Sequence, residues 1–169
     1  MHMHSVFIKQ VERLRRLVVG IGLRAEEGED ILQDVYIEAM RRPPKQRTAE
    51  KAGRWLIRVT INRCFSEFRQ KRRYQRATAE VLQRWTEKKN THLGPDKLAI
   101  SSEEIETMRQ CLSEMSDSLR APLVMKYFCE LNSNEIGEIL ELKPGTVRKR
   151  LCKGRIILAE TLLQKGIKP

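Results

Sequence analysis

The chain has 169 residues, of which 40% are apolar, 33% charged and 5% aromatic, and its formal net charge is +11. That apolar share can fill one ordinary core or two small ones, which excludes wholesale disorder. The longest apolar run, Leu17 to Leu23, is far short of the roughly 20 residues that a membrane span needs, and no signal-peptide pattern opens the chain. The expectation is a soluble cytoplasmic protein with no membrane insertion.

Residues 1–40 carry a net −2. Val6 to Val19 reads as a first helix after a frayed terminus, where the H-x-H of His2 and His4 is too weak a pattern to indicate a metal site. A clearer helix spans residues 25–41. Ile31, Leu32, Val35, Tyr36, Ala39 and Met40 repeat with helical period on one face, while Asp30, Gln33, Asp34 and Ile37 fall on the other. Arg42-Pro43-Pro44 ends it, because proline restricts its predecessor and cannot continue the ladder.

Residues 41–90 carry a net +12. A long helix is expected from Ala49 to Arg73, with Ile57, Ile61, Cys64, Phe65 and Phe68 on its apolar side. Arg58, Asn62, Ser66, Arg69 and Arg73 share a separate polar arc, and Trp55 lies within it. Asparagine beside several arginines on one helical face suits phosphates and base edges. Trp55 admits two readings, a helix-packing residue or a base-stacking platform.

Tyr74 to Ser102 is polar and holds the turn formers Asn90 to Asp96, so 74–102 reads as a linker between modules 1–73 and 103–169. Val81, Leu82 and Trp85 have helical spacing and allow a short helix within it. Residues 91–142 return to a net −6. Ser101-x-x-Glu104 predicts a capping box, and Ser116 or Ser118 a further helix start with Pro122 in its first turn. Asn132-x-x-Glu135 caps a short helix, 135–140, in which Gly137 allows another helix to approach.

Residues 143–169 carry a net +7. Their helix starts at Pro144, buries Val147, Leu151, Leu158 and Leu162, and ends at Gly166. Thr146, Lys149, Arg150 and Lys153 lie on the face opposite Val147, with Arg148 beside them. A short helix, a tight turn and a basic helix make a helix-turn-helix pattern, whose second helix would enter a major groove with Arg150 able to grip guanine. Cys64, Cys111, Cys129 and Cys152 form no C-x-x-C and read as reduced thiols. No catalytic constellation or cofactor motif is present, so neither an enzyme nor a cofactor is expected. The chain reads as all-α: two small helical domains joined by a polar linker.

Two stretches carry a family resemblance. Gly28-Glu29-Asp30-Ile31-Leu32-Gln33-Asp34-Val35-Tyr36 with Trp55-Leu56-Ile57-Arg58-Val59-Thr60-Ile61-Asn62-Arg63 resembles region 2 of bacterial sigma factors of the extracytoplasmic-function (ECF) type. Leu119-Arg120, Tyr127-Phe128, Glu135 to Leu140 and Pro144 to Leu151 resemble region 4. The resemblance implies that Asp30, Gln33, Asp34 and Ile37 dock on core RNA polymerase. It implies that Trp55, Arg58, Asn62, Arg63, Arg69 and Arg73 hold the minus-ten element, with a flipped base in the loop from Pro43 to Gly53. Thr146, Arg148, Lys149, Arg150 and Lys153 would read the minus-thirty-five element. An anti-sigma factor is implied as a partner, besides core polymerase and promoter DNA.

Ser66 stands where the family has an acidic residue, Glu141 where the turn usually has glycine, and Lys143 where a capping serine is common, which implies a strained or altered turn. Two rivals stay open on the residues alone: a helix-turn-helix regulator that does not bind polymerase, and a helical RNA-binding protein. The free modules are expected to move relative to one another.

Overall fold

The computed structural model describes residues 2–44, 48–85 and 100–166, apart from the side chains of 72, 75–85 and 100–105. Seven helices and no strand occur among the described residues: α1 Met3–Ile21, α2 Ala25–Arg41, α3 Ala49–Trp85, α4 Ile100–Glu114, α5 Asp117–Tyr127, α6 Ser133–Leu140 and α7 Pro144–Gln164. No helix among them is long and apolar enough to cross a membrane.

The first three helices form a bundle. α1 buries Val6, Phe7, Leu14, Leu17, Val18 and Ile21, a helical stripe that faces α2 and α3. The terminus expected to fray is tied down, because the His4 ring nitrogen meets the Tyr36 hydroxyl at 3.1 Å. α2 has the expected bounds and buries Ile31, Leu32, Val35 and Ala39, with Tyr36 and Met40 half-buried beside them. Its first turn is closed by the Glu27 carboxylate, which accepts the Arg24 backbone N–H at 3.2 Å.

α3 supplies the remaining wall with Leu56, Ile57, Ile61, Cys64 and Phe65, all buried. Buried Thr60 donates its hydroxyl to the Leu56 carbonyl at 2.8 Å, so its polar atom is satisfied within the helix. α3 continues to Trp85, twelve residues beyond the expected end at Arg73. Residues 74–85 contain no Gly or Pro and include two each of the helix formers Ala, Gln and Arg, so nothing local stops the ladder. Residues 86–99, which hold the turn formers, lie outside the described residues.

The last four helices form the second unit. α4 begins at Ile100, which places Ser101 inside its first turn; the side chains of the expected Ser101–Glu104 box lie outside the described residues. α5 starts after Ser116, so Pro122 is six residues into it rather than in its first turn. The Asn132 box forms as expected. Its side-chain oxygen accepts the N–H groups of Asn134 and Glu135 at 2.9 and 3.1 Å, and Glu135 accepts the Asn132 N–H at 2.8 Å.

Glu141, Leu142 and Lys143 join α6 to α7. Gly137 makes room for this turn rather than for another helix: a Cβ there would lie 2.6 Å from the Leu142 carbonyl oxygen. Val147, Leu151 and Leu162 of α7 are buried as expected, with Leu158 packed beside them. Glu141 has φ +56 and ψ +44, a left-handed conformation that costs a non-glycine residue about 1 kcal/mol.

The two units share one contiguous apolar cluster instead of standing apart. The ring of Phe128, just past α5, rests where a Cβ on Gly20 of α1 would be. The Cys129 thiol meets the Arg13 carbonyl at 3.9 Å. Arg120 of α5 is wholly buried, with its guanidinium carbon 4.8 Å from the ring centre of Phe65 and 4.4 Å from that of Phe68, both on α3. Asp117 holds it from the side at 2.7 Å.

Candidate nucleic-acid interface

Three surfaces arise from the helices just described. On α2, the inward stripe leaves Asp30, Gln33, Asp34 and Ile37 exposed. Ile37 is 45% exposed, an apolar side chain among charges. With Asp34, Glu38, Arg41, Arg42 and Arg63 it lines a shallow groove of about 450 Å³. An exposed apolar residue rimmed by charge is the kind of feature on which a protein partner anchors.

The second surface is the polar side of α3. Asn62, Arg63, Arg69 and Arg73 are exposed and Arg58 half-exposed, as the helical arc requires. Trp55 is half-buried and packs on the apolar cluster, which favours its packing role over a free stacking platform. Arg63 lies between two carboxylates of α2, 3.7 Å from Asp34 and 3.7 Å from Glu38. The residues assigned to polymerase and those assigned to the minus-ten strand therefore adjoin.

Sequence reasoning missed the partners of the other arginines. Arg58 pairs with Glu141 in the turn after α6. Arg54, which was not among the expected site residues, pairs with Glu138 of α6. Arg69 donates to Asp117 of α5 at 3.1 Å. The hydrogen bond from Arg58, reinforced by its charge, holds the Glu141 carboxyl below the usual carboxylate range. The turn glutamate was conspicuous in the sequence; its arginine was not.

The third surface is α7. Arg148, Lys149 and Lys153 are exposed, and Thr146 and Arg150 half-exposed. Among the described residues none of these four cations is in a salt bridge, in contrast to Arg54, Arg58, Arg63 and Arg69. Pro144 opens the helix at its first position and the three-residue turn sets α6 behind it. This is a helix-turn-helix whose second helix offers an uncompensated basic face to a polyanion.

Buried thiols complete the picture. Burial pushes Cys64 up to about 12 and Cys129 up to about 11, so both are inert thiols, whereas Cys152 on α7 is exposed. No group of three or more His, Cys, Asp or Glu among the described residues could hold a metal ion.

A helical bundle followed by a helix-turn-helix, each with a basic helix, defines a two-part DNA-binding transcription protein. Comparison with known families makes this specific. The Sigma-70 region 2 family matches residues 7–74 and the Sigma-70 region 4 family residues 105–158. The ECF RNA polymerase sigma factor SigW of Bacillus subtilis is 31% identical over 141 residues, covering 80% of this chain and 75% of its own. The RNA polymerase sigma-H factor of Pseudomonas aeruginosa is 23% identical over 163 residues, covering 92% and 83%.

Among solved structures, the sigma factor RpoE from Bartonella quintana, in complex with the anti-sigma factor NepR, superposes with a TM-score of 0.62 at 16% identity, over 95% of this chain and 93% of that one. CnrH, in complex with the cytosolic domain of CnrY, gives a TM-score of 0.63 at 17% identity, over 95% and 86%. The chain belongs to the sigma-70 family and is a sigma factor of the ECF type, a protein that directs promoter-specific transcription initiation.

Proposed function

We propose that this sigma factor divides its work among the three surfaces. Asp30, Gln33, Asp34 and Ile37 on α2 dock on core RNA polymerase. Arg58, Asn62, Arg63, Arg69 and Arg73 on α3 hold the minus-ten element, with the arginines on phosphates and Asn62 on a base edge, while Trp55 supports that face by packing on the core. Thr146, Arg148, Lys149, Arg150 and Lys153 on α7 enter the major groove of the minus-thirty-five element. Residues 1–73 and 103–169 act as the two modules, and 74–102 connects them.

The observation that carries this reading is the Asp34–Arg63–Glu38 contact. It puts the acidic docking face and the strand-holding face edge to edge on α2 and α3. A subunit that presents a melted strand to polymerase needs those two functions side by side.

The chain itself performs no bond chemistry in this reading; polymerase supplies it. It works in the cytoplasm, where DNA and polymerase are. An anti-sigma factor restrains it, as suggested by the complexes in which its structural neighbours were solved. The segment from Pro43 to Gly53, expected as a loop but helical from Ala49 where α3 begins, remains assigned to a flipped base, with residues 45–47 outside the described residues.

The test is charge reversal at Asp34 in the full chain. Asp34→Lys is expected to weaken binding to core polymerase by roughly tenfold or more, with affinity for a minus-thirty-five duplex unchanged. Loss of both affinities together with a lowered melting temperature would make Asp34 a folding residue and remove the docking face from α2.

A further inference from the structure

The outward side of α7 carries a second pattern besides its cations. Ile156 and Leu163 are each 54% exposed, and Cys152 is exposed on the same helix. With half-buried Ala159 they recur at i, i+4, i+7 and i+11, which gathers them within about 60° around the helix. The buried stripe of Val147, Leu151, Gly154 and Leu162 is centred about 130° away. The four side chains therefore point away from the core of their own unit, with the spacing of a seam between two helices.

That seam is complementary to itself. Cys152 and Leu163 are placed symmetrically about the midpoint between Ile157 and Leu158, and so are Ile156 and Ala159. A second α7 laid antiparallel on this one, about a two-fold axis at that midpoint, sets Cys152 against Leu163 and Ile156 against Ala159. Each contact is made twice. The small Ala159 side chain leaves room for Ile156 at the centre of the crossing.

The charges agree with the same register. Glu160 is the sole acidic residue of α7. It is exposed and in no salt bridge among the described residues, and the same holds for Lys153. A two-fold axis perpendicular to the helix pair keeps each flank on its own side, and Lys153 and Glu160 share one flank. Glu160 of one copy therefore comes within about 3 Å, measured along the axis, of Lys153 of the other. Two such pairs form. Arg155 lies on the opposite flank, about 7.5 Å along the axis from its own counterpart, so like charges are not stacked.

We infer that the outward face of α7 docks a second copy of this chain, antiparallel, through Cys152, Ile156, Ala159 and Leu163, with Glu160 and Lys153 pairing between copies. Four apolar side chains a copy are far fewer than the roughly 20–30 residues a side of a standard interface, so the dimer is weak and exchanges. Lys153 is also assigned to the minus-thirty-five element. The second copy and duplex DNA therefore compete for it, a consequence that rests on the reading of α7 given under the proposed function.

The test is disulfide trapping in the full chain carrying Leu163→Cys, a change at an exposed position that leaves the core intact. Residues 152 and 163 are roughly three turns apart, about 16 Å along one helix, too far to bridge within a copy. Cys64, Cys111 and Cys129 are buried. Under mild oxidation the variant is expected to form a covalent dimer whose linked peptides join residue 152 to residue 163, while the parent stays uncrosslinked. Adding Glu160→Lys should lower the trapped yield by roughly fivefold, and adding Lys153→Glu to that should restore it. No trapped dimer, a yield indifferent to the charge swaps, or a parent linked through Cys152 to itself overturns the antiparallel pairing.

A mixed-sequence duplex of about 20 base pairs at low salt tests the competition, with duplex binding followed by anisotropy in the same solutions. Trapping is expected to fall by roughly fivefold as duplex binds; trapping unchanged while duplex is bound overturns the competition. If Lys153→Ala binds the duplex as tightly as the parent, Lys153 is removed from the DNA face and the proposed reading fails there, while the pairing stands on the trapping alone.

Discussion

The guanidinium carbon of Arg120 lies 4.4 Å from the ring centre of Phe68, joining the second helix of the C-terminal unit to the third helix of the N-terminal one. A wholly buried arginine is rare because desolvating the charge is costly. Here the cost is offset by two aromatic faces, Phe65 and Phe68, and by the 2.7 Å hydrogen bond to Asp117. The planar guanidinium fits that slot as a lysine ammonium does not.

Replacing Arg120 with alanine is therefore expected to destabilise the chain by roughly 2–4 kcal/mol, from lost stacking on two rings and the lost hydrogen bond to Asp117. Arg120→Lys should recover less than half of that. Urea unfolding followed by circular dichroism measures both; a loss below about 0.5 kcal/mol, the scale of ordinary surface substitutions, contradicts the anchor.

On α7, Arg150 and Lys149 are expected to behave differently. Arg150→Ala should cost about 1–3 kcal/mol at one base position of the upstream element and little elsewhere. Lys149→Ala should weaken binding to all duplexes alike and lower the salt slope by about one. Binding measured across a library of duplexes at several salt concentrations checks this. A uniform loss for Arg150→Ala would make it a phosphate contact.

Acid should loosen the contact between the units. Arg58 holds the Glu141 carboxyl below its ordinary value of 4.5. Glu27 is also lowered: burial pushes it up, but the Lys71 hydrogen bond, the Arg24 N–H and both charges outweigh that. A carboxylate depressed in the folded state contributes stability that is complete above its unfolded value and lost as pH falls through its folded value. Stability to urea, followed by circular dichroism, should be constant at higher pH and begin to fall as pH drops below about 4.5. A loss of stability beginning near neutral pH would assign the effect to another group.

Much of the fold was legible because its signals are local. The prolines at 43 and 44 and the stripe from Ile31 to Met40 set α2, while Asn132, Glu135 and Pro144 set the helix-turn-helix; all are short-range effects of capping and ring geometry. The end of α3 was misplaced because polarity from Tyr74 onward resembles a linker, although only a breaker stops a helix and none occurs before Trp85. Pro122 lies deeper in α5 than expected because Asp117 follows the cap immediately.

Of the candidate interface, the residues on each face followed from helical period, and the family patterns suggested their roles. Their partners did not follow. Arg58 and Glu141 meet across 83 residues and Arg69 and Asp117 across 48, distances over which periodicity carries no information. Glu141 was visible as a glutamate where the turn favours glycine, which marked the position without revealing what it touches. Arg120 could not be recognised as buried, since an arginine beside Leu119 on an amphipathic helix ordinarily faces water.

In the proposed mechanism three surfaces act on one promoter through polymerase. The most direct test is transcription by core RNA polymerase reconstituted with this chain on a promoter library, with start sites mapped. The predicted result is initiation from a subset of promoters sharing two elements, lost upstream when α7 is altered at Arg150 and lost downstream when α3 is altered at Asn62 and Arg69. Binding of duplex DNA without any association with core polymerase or any chain-dependent start site would contradict it.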